Sequence, residues 1–209
     1  AHAVEGEVTT FTIGGETYDA AEVHLHPEWN GDMADGWDVA LVRLDRPVEG
    51  VEPMSVYTGH GEIGSEITIV GHDFDGSGLV ENGERRAGRN VADAMGGDFW
   101  GELSDNLMVA DLDAEGAENR MGSDTPMDLE YVSRAGDSGG GVFVDVDGEQ
   151  QLAGVISMNI AVDGQSDSGA GDVMGAVRVT QVLQWMDTVA SELELIGNDV
   201  ADAPNLTVS

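Results

Sequence analysis

The chain has 209 residues, of which 41 are Asp or Glu against 8 basic residues, all Arg, and the formal charge is −33 at pH 7. A field of that sign repels phosphate, so nucleic acid and anionic membrane surfaces are excluded as partners. The absence of cysteine excludes disulfides, thiol catalysis and Cys-based zinc sites, and leaves the compartment open.

At 41% hydrophobic residues the chain can bury the core of one two-lobed domain or two small ones. Its longest apolar runs, Ile67 to Val70 and Leu152 to Ile156, are strand-sized and fall far short of the roughly 20 residues a membrane-spanning helix needs. Lysine is absent altogether. Like charges at this density repel one another until molar salt shortens the screening length to about 3 Å, so the fold is expected to depend on salt. An ordinary acidic secreted protein would share the charge without that dependence.

In chain order, strands are predicted at Val8 to Ile13, Glu22 to Leu25, Val39 to Leu44, Glu66 to Val70, Leu107 to Ala110, Gly141 to Val146 and Gln151 to Ser157. Each is a short run rich in β-branched or apolar residues between Gly and Asp clusters, the pattern of an all-β sandwich or barrel with hairpin connections. Asp147-Gly148 separates the last two runs and suits a tight hairpin turn, because glycine accepts positive φ. From Thr180 to Ile196, Val182, Trp185, Met186, Val189 and Leu193 recur at three- and four-residue spacing and predict a helix, with Thr180 capping its start and Gly197 its end. Asn198 to Ser209 reads as a linker or tail.

The chemistry concentrates in Ala135-Gly136-Asp137-Ser138-Gly139-Gly140. Glycines around a serine let the backbone turn tightly and aim two N–H groups, those of Gly136 and Ser138, at one point beside the hydroxyl: a nucleophile with an oxyanion hole. The same segment read alone also fits a Gly-rich turn that happens to hold a serine. A serine nucleophile needs a histidine to take its proton and a buried carboxylate to orient that histidine. Asp38, at the head of the apolar run Val39 to Leu44, is placed for the second role, although an Asp before a strand is commonly a turn residue. Asp73, Asp75 and Ser77 alternate as in part of a calcium loop but lack the distal Glu; Asp111 and Asp113 form a similar pair. Among 41 carboxylates such pairs are expected, and no metal site and no cofactor is assigned.

Asp38-Val39-Ala40-Leu41-Val42-Arg43-Leu44 and Gly136-Asp137-Ser138-Gly139-Gly140 resemble the two signature segments of chymotrypsin-like serine proteases. Weaker similarities follow in the family's order: Val23 to Trp29 with its His26-Pro27 turn, Arg46-Pro47-Val48, Val155 to Asn159, and Val177-Arg178-Val179 leading to Trp185. Glu84 to Gly88 with Asn90-Val91 is similar to a cysteine-free bacterial branch of trypsin-like proteins.

The resemblance implies two six-stranded antiparallel Greek-key barrels and a C-terminal helix, divided as 1–58, 59–178 and 179–196 with a tail at 197–209. It implies His2 as general base, since Ala1-His2-Ala3 resembles the end of the family's histidine box while His24, His26, His60 and His72 stand elsewhere in its order. The strands the family builds before that histidine are missing here, so the first barrel is expected to be incomplete and this chain's own activity impaired. Val132, Ser157, Met158 and Asn159 are expected to contact substrate. Val132 stands where relatives with basic specificity carry an acid, so an uncharged side chain is favoured, with Glu130 the one carboxylate within reach of that role. The implied protein is a secreted, monomeric serine endopeptidase acting on proteins or peptides through His2, Asp38 and Ser138. Its alternative is a catalytically inactive binding or scaffold module of the same fold.

Overall fold

The structure, a computed structural model, describes residues 1–6, 10–72, 85–114, 120–122, 125–162, 164, 169–197 and 206–208, with side chains up to residue 191. Asp73, Asp75 and Ser77 lie outside the described residues.

The described chain is mostly β-sheet. Its strands are β1 Thr10–Ile13, β2 Glu16–Leu25, β3 Ala40–Leu44, β4 Ser55–Val56, β5 Glu66–His72, β6 Arg85–Val91, β7 Ala94–Met95, β8 Leu107–Asp111, β9 Gly141–Val146, β10 Glu149–Ile160, β11 Val173–Arg178 and β12 Leu206–Val208. A one-turn helix, α1 Gly96–Phe99, follows β7, and the longer α2 Leu183–Gly197 follows β11. Among the described residues no helix is long and apolar enough to cross a membrane.

Two sheets form. The smaller has the order β1-β2-β3-β12, and the larger runs β6-β5-β9-β10-β11-β8-β7 with β4 added beside β10. Every pairing is antiparallel except β4 with β10. Short turns make this possible. At the β9–β10 hairpin both Asp147 (φ 56°) and Gly148 (φ 89°) adopt the left-handed conformation that a two-residue turn of the right twist requires, as the sequence predicts. Gly14 and Gly15 play the same part between β1 and β2.

β8 and β11, neighbours in the larger sheet, are buried along their whole length, whereas β5 alternates exposed and buried as a one-faced strand does. One buried cluster joins Ile67, Ile69, Met108, Val132, Val142, Ile156 and Met174. A second joins Val39, Leu107, Val109, Val155, Val177 and Val182, with Trp185 and Met186 of α2 packed against it. The predicted apolar helical face is therefore seated; Leu193 lies beyond the described side chains.

Three expectations differ from the structure. Residues Val179–Gln181 form a 3-10 turn and α2 starts only at Leu183, because the Thr180 hydroxyl donates to buried Glu62 instead of capping a helix. The supposed tail contributes β12, which pairs with Leu41, Val42 and Arg43 along the edge of β3 that β2 leaves open. Ser55–Val56, placed by sequence in the first unit, pairs with Gln151 and Leu152 of β10 in the larger sheet.

Candidate active site

Asp38 is 2% exposed at the head of β3, and its carboxylate collects four hydrogen bonds. The Ala1 nitrogen, here an ammonium, donates to Oδ1 at 2.7 Å, and the backbone N–H of His2 donates to the same oxygen at 2.7 Å. The other oxygen, Oδ2, faces His2 Nδ1 at 2.5 Å and accepts from the Ser157 hydroxyl at 2.6 Å. Burial on its own would push the carboxyl pKa up; the donors of His2, Ala1 and Ser157 outweigh it and hold Asp38 well below the usual carboxylate range. Asp38 is thus a fixed anion whose Oδ2 accepts from His2 Nδ1, which leaves Nε2 outside that contact.

The turn that carries His2 is held on both sides. Ala1 is buried, its carbonyl accepts the N–H groups of Val4 and Glu5 at 2.9 Å each, and Val4 is buried beside it. Trp29 Nε1 donates to Glu5 at 3.0 Å, tying this N-terminal turn to the segment that leads toward Asp38. The imidazole keeps a third of its surface open.

The Ser138 segment leads directly into β9. Gly139 N donates to Ile156 O and Ile156 N to Gly140 O, both at 2.9 Å, so the turn is bonded to β10 one residue before Ser157. Within it, Arg134 N donates to Asp137 Oδ2, Asp137 N to Arg134 O and Gly140 N to Asp137 O. Among the described residues the N–H groups of Gly136 and Ser138 have no acceptor. Gly136 sits at φ 100° and Gly139 at 84°, values that a side chain rarely tolerates. Gly140 has no room for one: a Cβ there would stand 2.4 Å from Val70 O.

Asp137 is itself 1% exposed; its Oδ2 also accepts from the Tyr131 hydroxyl, while Oδ1 has no partner among the described residues. A small cleft lined by Ala1, His2, Ala3, Asp38, Gly139, Val155 and Ile156 joins the histidine to the serine turn. His2 and Ser138 make no hydrogen bond to each other.

Of the five histidines, His2 is the one whose ring meets Asp38. His24 faces Glu22 at 3.1 Å, His26 stacks on Trp37 with centroids 4.5 Å apart, and His60 and His72 are exposed on other parts of the chain. Of the expected substrate-contacting residues, Ser157 turns instead to Asp38, because a register shift of β10 against β11 between Ile156 and Met158 re-aims it. Val132 is buried in the core, Met158 lies over Gly175, and Asn159 meets Ser133. Both oxygens of Glu130 accept backbone N–H groups, from Asp113 at 2.7 Å and from Met127, which fixes it in its own loop. The roles of Ser157 and Tyr131 escape sequence reasoning; the one signal is a buried-type run, Val155-Ile156, that ends in serine.

Asp111 and Asp113 form no metal cluster, and among the described residues no group of three or more potential ligands gathers. No family model matches the chain. No curated protein matches it either.

Proposed function

We propose that the chain is a secreted, salt-adapted serine endopeptidase of the chymotrypsin-like class. In this reading the smaller sheet belongs to a first Greek-key barrel and the larger sheet to a second. The observation that carries the reading is His2 clamped to buried Asp38 through Nδ1, beside the Ser138 turn with its two unpaired N–H groups.

Ser138 Oγ attacks the carbonyl carbon of a peptide bond while His2 Nε2 takes its proton. The carbonyl oxygen becomes an oxyanion and accepts the N–H groups of Gly136 and Ser138, each donor contributing about 3 kcal/mol in such sites. Asp38 stabilises the imidazolium without taking the proton. The tetrahedral species then breaks its C–N bond, and His2 returns the proton to the leaving amine. Water, deprotonated by the same nitrogen, cleaves the acyl ester and restores Ser138. Ser157 acts through Asp38, by keeping it ionised and still.

A second reading, an inactive binding module, draws on the missing hydrogen bond between His2 and Ser138; in ligand-free sites such bonds are often long and close only on binding. Peptide hydrolysis by the full-length protein in about 3 M NaCl, where surface charge is screened, separates the two. Ser138→Ala and His2→Ala are expected to abolish turnover and Asp38→Asn to lower kcat about 10⁴-fold. Turnover that survives Ser138→Ala unchanged would remove this reading.

A further inference from the structure

We propose that Asn159 and Ser133 form a latch across the acyl-side pocket, restricting the protein to a small uncharged residue, glycine or alanine, just before the scissile bond. The inference rests on the serine endopeptidase reading and goes beyond it to the class of substrate. In the chymotrypsin-like reading, a peptide whose carbonyl oxygen meets the Gly136 and Ser138 N–H groups places its acyl-side side chain between two runs of backbone. These are the segment leading into the serine turn and the end of β10.

That space is bridged. In the orientation that satisfies its donors and acceptors, the Asn159 amide nitrogen donates to Ser133 O at 2.9 Å, to Ser133 Oγ, and to Met158 O at 3.2 Å. The layers below are filled: Ser133 is 1% exposed, Val132 2%, and Met174, which pairs directly with Asn159 across β10 and β11, 1%. Val132 and Met174 share one apolar cluster, so no charged group waits at the bottom. Glu130, the carboxylate that sequence places closest to that position, has both oxygens occupied by backbone N–H groups. In this proposal a methyl group is accepted without disturbing the latch. A phenyl ring or a guanidinium must break the Asn159 to Ser133 contacts, at a cost in hydrogen bonds made to a buried residue.

The test uses peptide anilides that differ only in Ala, Phe or Arg before the scissile bond. They are assayed on the full-length protein, on Asn159→Gly and on Asn159→Ala, with active sites counted by fluorophosphonate titration so that misfolded protein drops out. The expected result is a kcat/KM for Ala at least about tenfold above Phe and Arg. In both variants the Phe to Ala ratio should rise by about tenfold. A wild-type preference for Phe or Arg overturns the latch, as does a ratio unchanged in both variants, which is what a merely structural role produces. Labelling of Ser138 without cleavage of any of the three peptides overturns the latch and leaves the nucleophile standing. Absence of labelling as well removes the endopeptidase reading itself.

Discussion

Four donors converge on Asp38, and their division of labour sets what single substitutions do. Ser157 touches neither substrate nor nucleophile in the proposed mechanism, so Ser157→Ala removes one hydrogen bond to the anion, worth at least about 1.5 kcal/mol. Steady-state kinetics are expected to show kcat lowered about tenfold with KM unchanged; a change confined to KM would place Ser157 on the substrate instead. Asp93 behaves in the opposite sense to Asp38. Burial, together with the nearby carboxylates of Asp111 and Asp113, raises its pKa to about 7 from an ordinary 3.8. The folded protein therefore holds a proton there that the unfolded chain releases, and the associated stability is lost as pH rises from about 4 to about 7. Denaturant melts of Asp93→Asn should show that slope flattened and the variant more stable than wild type at pH 8. A slope unchanged by the substitution contradicts the assignment. His2, Asp38 and Ser138 are legible as residues because their chemistry demands specific side chains. Ser157 is not, because its aim depends on a bulge that no residue type announces.

At the scale of elements, a buried ion pair pins the chain at four places. Arg178, at the end of β11, donates through Nε to Glu62 at 2.8 Å and through Nη1 to Asp105 O at 2.8 Å, and Thr180 adds its hydroxyl to the same Glu62 oxygen. Both charged side chains are at most 6% exposed. Arg178→Met removes the cationic partner of buried Glu62 and leaves it only the Thr180 hydroxyl, and is expected to cost about 3 to 5 kcal/mol in urea unfolding; a cost below about 1 kcal/mol would mean that water reaches Glu62. This same cluster explains why the helix starts later than the sequence predicts. Thr180 has the chemistry of a cap, but a long-range acceptor competes for its hydroxyl. The β9–β10 hairpin, by contrast, was fully legible, since Asp147-Gly148 is a local signal answered by local geometry. β4, β7 and β12 have two or three residues each and exist through partners distant in sequence, so no periodicity marks them.

For the molecule as a whole, charge dominates. With 41 carboxylates and 8 arginines, only a minority of the acids have a cationic partner; Arg43 with Glu22, Arg46 with Asp45 and Arg89 with Glu66 are surface examples. Such exposed pairs contribute little, and self-repulsion is the larger effect. The melting temperature is expected to rise by more than about 5 °C between 0.1 and 3 M NaCl, beyond the 2 to 4 °C that 1 kcal/mol moves a chain of this length. A flat profile would show that the acidic surface is dispensable for stability. The all-β class and the C-terminal helix were readable from residue patterning, while the pairing of β12 with the smaller sheet was not. The central claim is that Ser138 is an activated nucleophile. Its most direct test is fluorophosphonate labelling of the full-length protein in about 3 M NaCl, with the adduct located by peptide mass mapping. The account predicts one phosphonyl group, on Ser138, lost in His2→Ala and Ser138→Ala; a folded protein that takes no label, or takes it on another serine, would contradict it.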